Sequence, residues 1–272
     1  MKPPPFGYGA PTSLAEAASL LAEHGEDAKV LAGGQSLIPL LSLRLARPSF
    51  LVDLNRVPEL SGLDGGTSLG AMTRHRAVER SADVAAKVPL LAAAVPHIGH
   101  TAIRTRGTIG GSISHADPAA ELPAVALALD AVMTATSTAR GDRDIPAEEF
   151  FQGYFTSSLE PDEVLVRVTF PEAAPGTKVS VQEMARRHGD FAMVAAMVQR
   201  GPGGSRIALV NVSDRPYRAR DAEVALDCGA SIDEVVDLAT RDLEPVSDLH
   251  ATSAYRKRVA GVLIKRAVEA VA

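Results

Sequence analysis

The sequence predicts an α+β protein: two small α/β units, then a layer of antiparallel strands covered by helices. Three observations carry this reading. Helix and strand patterns alternate up to residue 57. From Leu60 onward, short strands joined by Gly-rich turns mix with Ala-rich helices. The last hundred residues or so read as three consecutive strands followed by three helices. The expected domains are 1–57, 58–173 and 174–272, with "PEAAPG" at Pro171 to Gly176 marking the second boundary.

In the first unit, Ser13 is a helix N-cap and Glu16, three residues on, completes a capping box. Leu14, Ala17, Ala18 and Leu21 recur at helical spacing, and Gly25 is the stop. Lys29 to Ala32 and Phe50 to Leu54 are short strands. In the second unit, Asp64-Gly65-Gly66 is a turn between two strands. Ala-rich helices run from about Arg74 to His97, and another is expected to start near Pro118, with Pro in the first turn. Ala131 to Thr136 and Glu163 to Phe170 are strands. In the third, Lys178 to Arg186, Phe191 to Arg200 and Arg206 to Ser213 are strands. "GPGG" at 201–204 turns between the last two, and helices follow near 217–227, 231–241 and 251–271.

Bulk composition excludes several functions. A net charge of −5 disfavours nonspecific binding to nucleic acid or an anionic membrane. With no Trp and 4% aromatics, a base-stacking surface is not expected. No apolar run approaches the roughly 20 residues that span a bilayer. "MKPPPFGYGAP" has no apolar signal core, so the expected location is the cytoplasm. Cys228 is the only cysteine, and one thiol builds neither an internal disulfide nor an iron–sulfur cluster. Redox chemistry here would therefore use an organic cofactor or partner chains.

"VLAGGQSLIPLL", Val30 to Leu41, breaks an apolar stretch with two glycines. Such a pair permits positive φ and can present consecutive N–H groups to an anion. Alone it reads as a tight turn. "GTIGGS", Gly107 to Ser112, repeats the grammar, with Thr108 and Ser112 flanking Gly110-Gly111. Two such motifs suit a ligand with two phosphates, gripped from both sides, and a dinucleotide is the obvious candidate. The Rossmann G-x-G-x-x-G, the P-loop and the G-x-S-x-G elbow are all missing.

"LAGGQSLIPLL", "IRTRGTIGGS" followed by "DPAAELP", and "RRHGDFA" occur in this order across the chain. In these motifs the sequence resembles the FAD-binding medium subunit of molybdenum hydroxylases of the aerobic carbon monoxide dehydrogenase and xanthine dehydrogenase type. The resemblance implies an FAD-binding fold of the vanillyl-alcohol-oxidase/PCMH class with a C-terminal flavoprotein domain. It implies that Ala32, Gly33, Gly34, Gln35 and Ser36 form one pyrophosphate loop, and Thr108, Ile109, Gly110, Gly111 and Ser112 the other. Glu121 falls where the family has a cofactor-contacting Asp, and Ser112 where Asn is common; both keep hydrogen-bonding ability. Ile103 lies in the segment approaching the isoalloxazine, Leu165 matches an apolar contact, and Phe191 stands where an aromatic lies near the flavin. Gln182 stands where some relatives carry Lys. Further implied are a small subunit with two [2Fe–2S] clusters, a large subunit with the molybdenum cofactor, and an external electron acceptor. The substrate pocket would lie in another chain, so carbon monoxide, a purine, an aldehyde and an N-heterocycle all fit. The alternative is a stand-alone flavin oxidase or reductase of the same superfamily, for which the sequence shows no convincing His–carboxylate or Tyr–Arg constellation.

Other residues have plainer readings. His97 and His100, with His115 and Asp117, have a spacing that does not by itself make ligands converge, so ordinary loop histidines are expected. Arg104 and Arg106 could clamp a phosphate, but a solvated or partner-facing basic loop is favoured. Arg186, Arg187 and Asp190 are expected to form an ion-pair cluster. Leu90–Val95, Val125–Leu129 and Cys228 are expected in the core. Phe191 reads equally as plain sheet core.

Overall fold

A computed structural model describes residues 2–272. Its strands form three main sheets. Gly7–Gly9, Phe50–Asp53 and Ala28–Leu31 make a parallel sheet in that order. The second sheet is antiparallel: Leu63–Asp64, Ser68–Gly70, Val164–Thr169, Val132–Ser137 and Gly141–Pro146. The third, also antiparallel, runs Lys178–Met184, Val194–Gly201, Gly204–Val210 and Tyr217–Arg218. The edge strands Gly7–Gly9, Gly141–Pro146 and Tyr217–Arg218 escape a pattern-based reading, because their Gly, charged or very short segments lack apolar alternation.

Local chemistry sets many of the ends. The helix Leu14–His24 starts where the Ser13 side chain accepts from Glu16 N–H. The Glu16 carboxylate reaches back to Thr12 N–H at 2.8 Å, one residue beyond the expected capping-box partner. The helix stops at Gly25, whose φ of 52° suits a residue without Cβ. Gly65 and Gly66 both have positive φ, as their hairpin turn requires. Gly201 pairs with Gly204 across the "GPGG" hairpin.

The helix expected from Pro118 begins instead at Glu121. Asp117 holds the preceding turn, its side chain accepting from Ala119 N–H and its carbonyl from Ala120 N–H. The second strand of the last domain starts at Val194, so Phe191 lies in the loop before it.

The third sheet has two buried faces, which explains the unbroken apolar runs in Val194–Gly201 and Gly204–Val210. Ala195, Met197, Ala208 and Val210 point into the core shared with the second sheet. Val194, Ala196, Val198, Ile207 and Leu209 point into a core closed by the helices Arg220–Asp227, Ile232–Thr240 and Ser253–Val271. Side chains alternate across a strand, so covering both faces demands apolar residues at every position. Leu90, Leu91, Val95 and Val125–Leu129 are buried as expected. Cys228 is exposed instead of buried: the inward stripe of its helix is Ala222, Glu223 and Leu226, and Cys228 lies past the helix end. Among the described residues no helix is long and apolar enough to cross a membrane.

Candidate functional site

The first glycine motif leaves the end of the strand Ala28–Leu31 and enters the short helix Leu37–Ser42. Gly34 takes φ = 75°. The N–H groups of Gly33, Gly34, Gln35 and Ser36 donate to no atom among the described residues. The Ser36 side chain makes no capping bond to its own helix. Backbone donors left free at a helix start are what an anion needs.

The second motif is built differently. Expected as a loop, it is the start of the helix Ile109–His115, with Thr108 as N-cap accepting from Gly111 N–H at 3.1 Å. Ile109 N–H donates to Thr73 O and Gly110 N–H to Ala71 O. Neither Gly110 nor Gly111 has positive φ. Gly110 is required for closeness instead: a Cβ there would sit 2.4 Å from Ala71 Cβ and 2.8 Å from Ala71 O. The glycine that the pattern suggests for backbone freedom serves packing.

The two motifs touch. A Cβ on Gly33 would lie 2.3 Å from Arg106 O and 2.8 Å from Gly107 Cα, and one on Gly111 would lie 3.3 Å from Ala32 Cβ. Side chains fasten this contact. Asn55 Nδ2 donates to Ala32 O at 2.9 Å; Arg74 donates to Asn55 Oδ1 at 2.6 Å and also to Arg106 O. Burial first, then the like charge of Arg106, lowers the pKa of Arg74, while Asp53 opposes them. His75 lies beneath, 4% exposed, with Nε2 2.9 Å from Thr108 O and Nδ1 unpartnered. Burial lowers its pKa to about 4, so the ring is neutral and donates from Nε2. Asn55, Arg74 and His75 escaped the sequence reading because they belong to no motif; only the fold brings them to one.

Arg104 neither clamps a phosphate nor lies in a solvated loop. It is 7% exposed, paired with both carboxylate oxygens of Glu79 at 3.0 and 3.1 Å, and its Nη1 donates to the carbonyls of Pro96, Ile98 and Gly99. This pins the segment that carries Ile103. Arg106 is exposed.

The remaining predicted residues divide. Ile103 (36% exposed) and Phe191 (63%) present apolar surface to solvent, so Phe191 is not sheet core. Leu165 is 5% exposed and faces the central core opposite Ala135. Arg186, Arg187 and Asp190 are exposed and form no ion pair with one another; Asp190 N–H caps a turn on Arg187 O. The Phe191 loop is held by Asn211, whose Nδ2 donates to Ala192 O at 2.7 Å and whose N–H donates to Pro118 O. Asn211 has φ = 60°, a left-handed conformation Asn tolerates. Arg256, 2% exposed, donates to Met193 O.

Glu121 is 5% exposed at the start of its helix. Burial above all, then the charges of Glu183 and Asp117, pushes its pKa up to about 8. Burial likewise raises Glu183 to about 7. His97 Nδ1 stands 3.7 Å from Glu183 Oε2. The fold thus assembles a His–carboxylate cluster that the sequence did not show, from residues 86 positions apart.

A family model described as "FAD binding domain in molybdopterin dehydrogenase" matches residues 4–173, and one described as "CO dehydrogenase flavoprotein C-terminal domain" matches 179–271. The chain belongs to the FAD-binding medium subunits of the molybdenum hydroxylases. It is 41% identical to the 6-hydroxypseudooxynicotine dehydrogenase complex subunit alpha of Paenarthrobacter nicotinovorans, over 98% of this chain and 94% of that one. A structure of carbon monoxide dehydrogenase from Hydrogenophaga pseudoflava, lacking the Mo-pyranopterin moiety of its molybdenum cofactor, matches with a TM-score of 0.94 and 41% identity, covering 100% of this chain and 98% of that one. Quinoline 2-oxidoreductase from Pseudomonas putida 86 matches at 0.92 with 39% identity, covering 100% and 98%. Like these relatives, this medium subunit is part of an oxidoreductase, and its cofactor is FAD.

Proposed function

We propose that the chain holds one FAD noncovalently and relays electrons. They would come from [2Fe–2S] clusters in a small partner subunit, supplied by substrate oxidation in a large molybdenum subunit, and pass to an external acceptor. One observation carries the placement of the cofactor: four free amides at Gly33 to Ser36, closed directly against Arg106-Gly107. That cradle admits a pyrophosphate, with Ala32 to Ser36 on one side and Thr108 to Ser112 on the other. Because the first-turn amides of the second motif are already used, its part is to hold the first loop in place and to offer Ser112. Ile103 and Phe191 supply exposed apolar surface for a flat ring, with Glu121 as a buried polar partner. Leu165 would support the site from the core.

When bound, FAD supplies exchange between one- and two-electron carriers; the chain supplies its position and electrostatics. Neither motif contains a His or Cys for a covalent link. The single exposed cysteine suits a reducing compartment, in keeping with a cytoplasmic location.

The Glu121–Glu183–His97 cluster is the one observation favouring a stand-alone flavin oxidase. Affinity purification of the tagged chain from its native host, followed by a visible spectrum and mild denaturation, tests both readings. Free FAD and two copurifying subunits bearing iron–sulfur and molybdenum are expected. A flavin-loaded chain without partners, reduced by NADH or a simple donor, would overturn the relay.

A further inference from the structure

The loop that carries Phe191 joins the strands Lys178–Met184 and Val194–Gly201. Met193 N–H closes its base on Met184 O at 2.8 Å. The two carbonyls that follow Phe191 are each held by a separate side chain. Asn211 Nδ2 donates to Ala192 O at 2.7 Å, and Arg256 Nη1 donates to Met193 O at 2.6 Å. Arg256 Nη1 also reaches Asn211 O at 3.3 Å, so the two holders are joined. Asn211 in turn donates its N–H to Pro118 O at 2.8 Å, in the segment before Glu121. It thus ties the Phe191 loop to the turn that leads into the Glu121 helix.

Stability alone would not select these holders. Asn211 sits at φ = 60°, where glycine fits without strain, so what Asn adds is its side-chain donor. Arg256 stands in the first turn of the helix Ser253–Val271, where the positive end of the helix dipole disfavours a cation. It is 2% exposed, its Nε finds no partner, and among the described residues Asp248 is the one carboxylate paired with it. Asp248 is itself fixed, its Oδ1 accepting from His250 N–H at 2.8 Å and Ala251 N–H at 2.9 Å. Well-packed apolar residues often serve stability as well as a buried ion pair does. What the arginine adds is its grip on Met193 O and Asn211 O.

We propose that Asn211 and Arg256 are positioning residues that hold Phe191 in place at the flavin. The role at the flavin rests on the function proposed above. The Phe191 ring is 63% exposed, so packing does little to fix it, and the held backbone behind it sets its place. A ring kept in one place keeps the surroundings of the flavin, and with them its potential, constant. Neither holder touches the cofactor in this role; each acts through the carbonyl it binds.

The chain has no Trp, so Phe191→Trp places a single indole on the loop. In the flavin-free full chain carrying it, Asn211→Gly and Arg256→Met should each roughly double the amplitude of its nanosecond anisotropy decay, the timescale of loop motion. Asn211→Gly keeps the backbone N–H, the carbonyl and the left-handed conformation, so only the bond to Ala192 O is lost. Arg256→Lys, with a single ammonium in place of the fork, should recover part of the hold. Leu263→Ala, in the core of the same helix, should lower the melting temperature yet leave the anisotropy unchanged, which separates holding the loop from general support of the domain. In the FAD-loaded complex with Phe191 in place, Asn211→Gly should shift the flavin's reduction potential, and adding it to Phe191→Ala should cause no further shift. Unchanged anisotropy in both Asn211→Gly and Arg256→Met would overturn the proposal, as would a loosened loop with an unshifted potential. If Arg256→Met does not fold, Asn211→Gly and Arg256→Lys decide the matter. An indole whose emission bound FAD leaves unquenched would overturn instead the placement of Phe191 at the flavin, and the anisotropy would still judge the hold on the loop.

Discussion

Gly33→Ala drives one methyl group into the contact on which the site depends. The new Cβ would meet Arg106 O at 2.3 Å and Gly107 Cα at 2.8 Å, where ordinary contact begins at 3.4 Å. Both obstacles are backbone, so no side chain can swing aside; the two motifs must part by about an ångström. Forcing a methyl group into a packed site costs about 1–3 kcal/mol. Separation would also pull Arg106 O from Arg74 and Ala32 O from Asn55. If the strain is relieved by opening the cradle, it appears as weaker FAD binding, about 5- to 150-fold at 1.4 kcal/mol per factor of ten. The assay is titration of FAD into the flavin-free chain by fluorescence quenching, with thermal denaturation alongside. Gly203→Ala is the control: its Cβ would meet nothing within 4 Å, so both measurements should match wild type. Wild-type affinity together with wild-type stability in Gly33→Ala would refute the close-contact argument.

Two further outcomes follow from the geometry. Phe191→Ala should leave the melting temperature nearly unchanged, because the ring is 63% exposed, while altering the flavin's reduction potential or its reoxidation by acceptor. A large loss of stability with unaltered flavin would return Phe191 to the core. Hydrogen bonds from Arg104 and Arg76 hold Glu79 down to about 2, so its contribution is present above the ordinary value of 4.5 and lost as pH falls through about 2. Glu79→Gln should therefore flatten the pH dependence of unfolding between 4.5 and 2, and an unchanged acid profile would contradict the pairing.

Features set by neighbours a few residues apart were legible in the sequence. The Ser13 cap, the Gly25 stop, the Asp64-Gly65-Gly66 turn and the "GPGG" hairpin each rest on a local hydrogen bond or a local φ. Three consecutive strand patterns followed by helices announced the antiparallel sheet of the last domain, and the paired glycine motifs pointed to the proposed cradle. What those glycines do was decided by tertiary packing. Gly34 needs its backbone freedom, but Gly110 is there because Ala71, 39 residues earlier, leaves no room for a Cβ. Arg104 read as part of a solvated or partner-facing basic loop, with a phosphate clamp as the alternative, until Glu79 and three carbonyls enclosed it. The Glu121–Glu183–His97 cluster has no sequence signature, since its chemistry comes from burial and from charges brought together across domains. Local conformational preferences act over a turn or two of chain. Desolvation, close approach and ion pairing depend on which distant segments meet, and only the folded chain determines that.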